Sequence, residues 1–119
     1  MIKFYWYPKC STCKKAKAWM DEHQIKYEVI DMIQTPPTAK ELAQWMEKYP
    51  ALPIRRFFNT SGIRYREQGL KDKVQDMTIQ AASELLATDG MLIKRPILTD
   101  GKSLTLGFKE AEFEKTWQA

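Results

Sequence analysis

The chain of 119 residues is poor in cysteine and histidine, and this shortage excludes several kinds of site. It has two cysteines and one histidine, His23. A zinc site with four thiolates needs two more cysteines, and a mixed site is hard to assemble around one histidine. A framework of several disulfides, which staples many small secreted domains, is also excluded. We therefore expect no metal site, and we expect His23 to end a helix.

Long apolar runs and a strong charge imbalance are missing as well. No stretch approaches the ~20 apolar residues that cross a bilayer, and the first residues lack the pattern of a signal peptide. The net charge is +4, and 19 lysines and arginines are spread among 15 acidic residues, whereas a nucleic-acid-binding face needs clustered basic residues. We expect a cytoplasmic protein that binds neither a membrane nor nucleic acid directly.

Apolar residues make up 44% of the chain, which is enough to form a packed core and argues against disorder. A chain of this length fits one domain with a modest core. We expect a single domain over residues 1–119, built on an α/β plan.

The two cysteines, Cys10 and Cys13, lie where a strand pattern gives way to a helical one. Residues 2–7 form a short aromatic run that ends at Pro8, and helical periodicity extends from about residue 13 to 23. This order puts Cys10 at a helix N-terminus, where unpaired N–H groups favour a negative charge. A thiol there ionises readily, and the second thiol follows one turn later. Two such thiols, one to attack and one to resolve the mixed disulfide, are the groups that thiol–disulfide exchange needs.

The first part of the chain reads as a βαβ unit. A second strand is predicted at residues 27–32, after the helix that starts near the cysteines. The crossover in such a unit is right-handed in nearly all cases. We therefore expect the two strands to be parallel neighbours.

A helical insertion is predicted at about residues 36–91. Thr38 and Glu41 form a capping box for its first helix, and Thr78 caps a later one. Residues 63–76 are charged and cannot be assigned from their pattern. The helix after Thr78 is expected to bury four residues, Ala81, Ala82, Leu85 and Leu86.

A β-hairpin and a helix are predicted after the insertion. Residues 97–99 and 103–106 are strand-like and flank the turn pair Asp100 and Gly101. A last helix covers residues 109–117 and offers Phe108, Ala111, Phe113 and Trp117 for packing. The complete order predicts a small mixed four-stranded sheet that carries the helical insertion.

This order, with Cys-x-x-Cys after the first strand, resembles the thioredoxin-like layout. Residues 8–13 resemble the opening of the ArsC/Spx family, the glutaredoxin-like arsenate reductases and their relatives. Residues 35–42 are similar to the start of that family's helical insertion, and residues 94–97 resemble its Arg-Pro signature. Residues 107–108 resemble the end of the last strand in the Spx-like branch, and residues 57–70 resemble an uncharacterised bacterial ArsC-like subgroup.

The resemblance implies roles for the residues around the thiols. Cys10 is the implied nucleophile, Pro96 is the implied cis-proline facing it, and Arg95 is implied to hold the thiolate anion. Our working hypothesis makes Cys13 the resolving thiol of a thiol–disulfide oxidoreductase, which acts on a disulfide or a small oxidised substrate. No cofactor is expected to be bound, but a cellular thiol reductant such as glutathione, bacillithiol or thioredoxin is implied.

Neighbouring side chains are expected to support the nucleophile. Four cations should lower the pKa of Cys10 by supplying positive potential, namely Lys9, Lys14, Lys15 and Arg95. Ser11 or Thr12 either donates a hydrogen bond to the thiolate or is a neutral spacer.

Two departures from the family pattern concern arsenate. Reductases of this kind grip the oxyanion with further arginines, and this chain has Asn59 and Gly107-Phe108 at the corresponding positions. Each lost hydrogen bond to a charged group is worth about 1.5–3 kcal/mol. We therefore do not expect robust arsenate reduction.

Two other functions remain open. A Spx-like regulator would use the disulfide to change a surface that binds the α subunit of RNA polymerase. In this chain, however, residues 52–54 lack the glycine of that branch, and residues 59–62 lack its arginine. Alternatively, both cysteines are apolar residues of a binding or structural domain, since free cysteine is often simply buried.

Overall fold

A computed structural model describes residues 1–118. Within this range there are four strands and five α-helices: β1 (Ile2–Trp6), α1 (Ser11–Glu22), β2 (Tyr27–Asp31), α2 (Ala39–Lys48), α3 (Ile63–Glu67), α4 (Ile79–Ala87), β3 (Ile97–Thr99), β4 (Leu104–Leu106) and α5 (Glu110–Trp117). Short 3₁₀ turns lie at Ile54–Phe57, Leu70–Asp72, Val74–Asp76 and Gly90–Leu92.

The chain forms two compact units. The first contains Met1–Met32 and the chain from Arg95 onward, and the second contains Ile33–Lys94. The second unit includes the range predicted as the helical insertion. The assignment of residues 1–119 to a single domain stays a prediction.

The sheet of the first unit has the strand order β2-β1-β3-β4. β1 and β2 are parallel, with Phe4 opposite Val29, as the right-handed crossover predicts. β3 lies antiparallel to β1 on the other side, with Leu98 opposite Phe4, and β4 completes an antiparallel hairpin with β3. The predicted mixed four-stranded sheet and the hairpin are therefore confirmed.

Aromatic side chains form the core between this sheet and its helices. The cluster contains the buried residues Ile2, Phe4, Ala16, Trp19, Met20, Leu98, Phe113 and Trp117. The rings of Trp19 in α1 and Phe113 in α5 meet edge to face, with centroids 5.3 Å apart. Trp117 Nε1–H donates to Thr105 Oγ1 over 3.1 Å, so this buried polar pair is satisfied. These contacts fix α1, and with it the first turn that carries the cysteines.

α1 ends at the residue that the sequence predicts. His23 is its C-cap residue, as predicted. Nδ1 of His23 lies 2.8 Å from the carbonyl oxygen of Trp19, and this oxygen can only accept, so Nδ1 is the donor. The two rings stack with centroids 4.1 Å apart. The histidine is thus part of the helix terminus.

The second unit is built around α2 and α4, which pack against each other. The predicted capping box is present: Glu41 N–H donates to Thr38 Oγ1, and Thr38 N–H donates to the Glu41 carboxylate. Thr78 caps α4 by accepting from the N–H of Ala81 over 3.1 Å. All three polar residues therefore have the helix-starting role that the sequence predicts.

The burial of three helix residues was not predicted correctly. Ala81 and Ala111 are exposed, because they lie in the first turns of α4 and α5 on the side away from the core. Ser83 is buried instead, which is tolerated because its hydroxyl donates to the carbonyl of Gln80 over 3.1 Å. The unassigned residues 63–76 contain α3 and two of the 3₁₀ turns.

Among residues 1–118, none of the helices combines the length and the apolar content that a membrane crossing needs.

The β3–β4 hairpin depends on a polar turn. Asp100 Oδ1 accepts the N–H groups of Ser103 and Lys102, each over 2.8 Å. These two bonds favour the ionised carboxylate and lower the pKa of Asp100. Gly101 has a φ of 91°, a left-handed conformation that other residues rarely adopt.

We expect Gly101→Ala to lower the free energy of unfolding by about 1–2 kcal/mol, because a side chain is strained at positive φ. A Cβ atom at Gly101 would meet no atom within 4 Å, so the loss reports backbone conformation and no clash. Urea unfolding followed by circular dichroism measures it. The matched control is Lys102→Ala, which should stay within about 0.5 kcal/mol of the wild type. Equal stabilities of the two variants would contradict this account.

Candidate functional site

The cysteine pair lies where β1 leads into α1. Cys10 is the N-cap residue of α1, with an extended backbone at φ −91° and ψ 118°. Its N–H donates to the carbonyl of Tyr7 over 2.9 Å, which closes the turn after the strand. Its Sγ accepts the N–H of Cys13 over 3.4 Å. The predicted position of Cys10 at the start of a helix is confirmed.

The sulfur of Cys10 therefore has the place that a serine or aspartate oxygen has in most helix caps. The first turn of α1 contains no acidic side chain that would compete for the N-terminal N–H groups. These groups and the positive end of the helix dipole both favour a negative sulfur over a neutral one.

Arg95 reaches the same sulfur from the segment before β3. It precedes Pro96, and the peptide bond between them is cis, as the resemblance implies. The Arg95 side chain forms a hydrogen bond with the Cys10 sulfur and adds a positive charge beside it. Its guanidinium carbon lies 5.2 Å from the centroid of the Tyr7 ring. The first strand, the first helix and the segment before β3 thus meet at one thiol.

These surroundings determine the ionisation of Cys10. Burial, the largest single influence, raises the pKa of this half-buried thiol. The hydrogen bonds from the thiol and the backbone of Cys13 oppose burial, and the hydrogen bond and charge of Arg95 add to them. Together they lower the pKa of Cys10 below its ordinary value.

Cys13 shows the opposite behaviour. Its side chain is fully buried, and burial is the main cause that raises its pKa to about 12. The hydrogen bond and the negative charge of Cys10 raise it further, although a backbone hydrogen bond with Tyr7 and the charge of Arg95 oppose this. Both cysteines are free thiols. The proton of the pair therefore stays on Cys13 while Cys10 ionises.

Pro96 is buried and is held in place by the end of β4. Its carbonyl accepts the N–H of Gly107 over 2.8 Å. Gly107 has a φ of 80°, which suits glycine and lets the backbone turn towards Pro96. Pro96 and Gly107, two landmarks of the resemblance, are thus hydrogen-bonded to each other.

The other predicted site residues are less involved. Ser11 is exposed and Thr12 is half-buried, and within residues 1–118 neither hydroxyl donates to the Cys10 sulfur. Lys14 is exposed, and its backbone N–H donates to the carbonyl of Cys10 over 3.1 Å. The proposed influence of Lys9, Lys14 and Lys15 on the pKa of Cys10 stays a prediction, whereas Arg95 is identified as one of its causes.

The sequence did not reveal the pairing of Tyr7 with Arg95. In the sequence, Tyr7 is visible only as the last residue of the aromatic run 2–7. Its position three residues before the nucleophile was visible, but nothing in the pattern indicated which cation its ring faces.

A Cys-x-x-Cys pair at the start of the first helix of this mixed four-stranded sheet, next to a cis-proline, defines a thioredoxin-like protein. The model of the ArsC family matches residues 5–116, so the chain belongs to the ArsC family.

Individual relatives agree with this assignment. The chain is 51% identical over 116 residues to the uncharacterized protein YusI of Bacillus subtilis, with 98% of each chain covered. It is 31% identical over 114 residues to the regulatory protein MgsR of the same species, covering 96% of this chain and 88% of MgsR. A crystal structure described as a possible arsenate reductase from Streptococcus mutans superposes with a TM-score of 0.88 at 43% identity, covering 96% of this chain and 98% of that one. These relatives indicate a thiol-based redox or regulatory role.

We expect iodoacetamide to modify Cys10 and to leave Cys13 unmodified in the folded, reduced protein. The rate should fall when the pH drops through the lowered pKa of Cys10, since only the thiolate reacts. In Cys13→Ser the modification should persist, because the hydroxyl that replaces the Cys13 thiol is also a hydrogen-bond donor. In Cys10→Ser, labelling of Cys13 should stay slow, because Cys13 is fully buried and burial is the main cause that raises its pKa. Mass spectrometry of peptides measures both sites, and comparable labelling of Cys13 in the native state would contradict this assignment.

Proposed function

We propose that the protein is a cytoplasmic thiol–disulfide oxidoreductase with Cys10 as the nucleophile and Cys13 as the resolving thiol. The observation that carries the proposal is the placement of two neighbouring thiols: the half-buried Cys10 sulfur caps α1, whereas the Cys13 side chain is fully buried. This placement, together with Arg95, lowers the pKa of Cys10 and raises that of Cys13. A resting enzyme of this type needs one thiolate that can attack the substrate and a second thiol that stays protonated until the mixed disulfide has formed. Membership in the ArsC family supports this reading.

The first step is attack by the Cys10 thiolate on one sulfur of a substrate disulfide. A bond forms between Cys10 and that sulfur, the substrate S–S bond breaks, and the other sulfur leaves as a thiolate. Arg95 stabilises the attacking anion, since its side chain forms a hydrogen bond with the Cys10 sulfur and places a positive charge beside it. Pro96, whose carbonyl is held by Gly107, is a positioning residue that fixes the backbone next to Arg95.

The second step activates Cys13. Once Cys10 is in a mixed disulfide, its negative charge has gone, and one of the causes that raise the pKa of Cys13 goes with it. Cys13 then attacks the Cys10 sulfur: a bond forms between the two cysteines, the mixed disulfide breaks, and the second product leaves as a thiol that takes up the Cys13 proton. The protein is left with a disulfide between Cys10 and Cys13 and has given up two electrons. A cellular reductant such as glutathione, bacillithiol or thioredoxin would return them.

Disulfides or small oxidised molecules fit this site better than arsenate does. Gly107 needs a positive φ, and an arginine there would be strained. Asn59, at the other position where the resemblance implies an arginine, carries a neutral side-chain amide, and its backbone N–H donates to the carbonyl of Leu92 over 2.7 Å. Neither position supplies the guanidinium that a tetrahedral oxyanion would require. Arsenate reduction is therefore outside the proposal.

We expect Cys10→Ser to lose at least about 99% of the disulfide reductase activity, since no other described thiol is exposed to replace the nucleophile. Cys13→Ser should complete the first step and accumulate a mixed disulfide on Cys10, visible as a mass increase equal to one half of the substrate. The assay follows reduction of a small aromatic disulfide with glutathione or thioredoxin as the reductant. Undiminished activity of Cys10→Ser would overturn the proposal.

A second candidate function is redox-switched regulation. It is favoured by one observation, the 31% identity to MgsR, a regulatory protein, over 96% of this chain. In this case the disulfide between Cys10 and Cys13 would change a surface without turning over a substrate. The α subunit of RNA polymerase is the partner that the resemblance to Spx implies.

A pull-down with purified α subunit, in reducing and in oxidising buffer, separates the two candidates. Capture that depends on redox state in the wild type and is absent from Cys10→Ser and Cys13→Ser would favour the regulator. For the oxidoreductase we expect no capture in either buffer.

A further inference from the structure

Tyr7 contacts the site through its ring and its backbone. The Arg95 guanidinium carbon lies over the ring, 5.2 Å from its centroid. The Tyr7 carbonyl accepts the N–H of Cys10 over 2.9 Å, and the Tyr7 backbone also forms a hydrogen bond with the Cys13 thiol. One half-buried residue thus meets the nucleophile, the resolving thiol and the cation.

The ring contact is the one that depends on the side chain. A guanidinium is attracted to the face of an aromatic ring, and the guanidinium of Arg95 lies over the ring of Tyr7. This contact restricts the positions that the guanidinium takes beside Cys10. The backbone bonds, in contrast, would survive any substitution of the side chain.

We propose that Tyr7 is a positioning residue, whose ring holds the Arg95 guanidinium against the Cys10 sulfur and thereby sets how readily Cys10 attacks at neutral pH. The inference rests on the proposed function where it concerns turnover. The reactivity of Cys10 itself can be measured without a substrate disulfide. The ring face makes the contact, so the hydroxyl is not required.

Other charged groups near Cys10 do not replace this arrangement. The titratable and charged groups around the sulfur are Cys13 in α1, Arg95 before β3 and Tyr7 after β1, with Lys9 and Lys14 exposed on the adjoining backbone. Of these, Arg95 is the cation identified as lowering the pKa of Cys10. Its placement is therefore the feature through which Tyr7 acts.

The test compares the pH profile of iodoacetamide modification of Cys10 in four variants. Tyr7→Phe should match the wild type, because it keeps the ring. Tyr7→Leu should shift the profile to higher pH and lower the rate at pH 7 several-fold, whereas the plateau rates at alkaline pH, reached once Cys10 is ionised in each variant, should converge. Arg95→Gln should shift the profile at least as far. The double variant Tyr7→Leu/Arg95→Gln should equal Arg95→Gln, since Tyr7 acts through Arg95.

The matched control is Tyr27→Leu. Tyr27 is also half-buried and belongs to the same sheet, but its hydroxyl donates to Asp21 and has no contact with the thiols. Its removal should leave the profile unchanged. A folded Tyr7→Leu protein with the wild-type profile would overturn the proposal, and so would additive shifts in the double variant.

A measurement on the wild type covers the case in which Tyr7→Leu does not fold. The ring current of Tyr7 should shift the NMR signals of the Arg95 δ protons upfield of those of Arg66, an exposed arginine in α3. Equal shifts would overturn the proposal without any variant.

The outcomes for Tyr7 and for the proposed function are distinguishable. Alkylation of Cys10 uses neither a substrate disulfide nor a reductant. Full activity of Cys10→Ser would therefore refute the oxidoreductase while the Tyr7 profile still stood, and an unshifted Tyr7→Leu profile would refute the positioning role while turnover remained. If both hold, the loss of kcat/KM in Tyr7→Leu should be largest near neutral pH and disappear at alkaline pH.

Discussion

The hydrogen bond from the N–H of Cys13 to the sulfur of Cys10 is the interaction on which the site depends. It starts α1, because the sulfur acts as the cap of that helix, and it directs the N-terminal end of the helix at the nucleophile. The same hydrogen bond links the stability of α1 to the ionisation of Cys10, because a charged sulfur caps the helix better than a neutral one. The aromatic core between α1, α5 and the sheet keeps this helix end in place.

The two thiols differ because the fold treats them differently. Cys10 stands at the edge of the turn, whereas Cys13 points into the packed interior and has no exposed surface. The same functional group thus acquires two different pKa values: Cys13 is the more deeply buried thiol, whereas Cys10 caps α1 and forms a hydrogen bond with Arg95. Membership in the ArsC family is compatible with redox catalysis and with redox sensing, and both use a reactive thiol.

Much of the fold was readable from short-range patterns. The capping box at Thr38, the cap at Thr78 and the turn at Asp100 each rest on a few adjacent residues, and all are present. Short helices such as α3 contain too few residues to show a period, so residues 63–76 stayed unassigned. In α4, Ser83 replaces Ala81 in the interior because its hydroxyl finds a carbonyl partner, which no hydrophobicity pattern expresses.

For the site, the sequence indicated the thiols, Arg95 and the cis peptide bond, but not the stacking of Arg95 on Tyr7. That contact joins two distant parts of the chain and depends on the arrangement of β1 and β3, which only the folded sheet supplies. The contributions of individual charges to the pKa of Cys10 could not be predicted from the sequence either, because they depend on distance and burial.

The first unit is assembled from the two ends of the described chain, with the whole of the second unit encoded between them. During synthesis Cys10 therefore leaves the ribosome well before its arginine has been translated. In that interval Cys10 lacks both the arginine and the core contacts that α5 makes with α1. The order of the elements therefore completes the surroundings of the nucleophile only after β3 and α5 have joined the first unit.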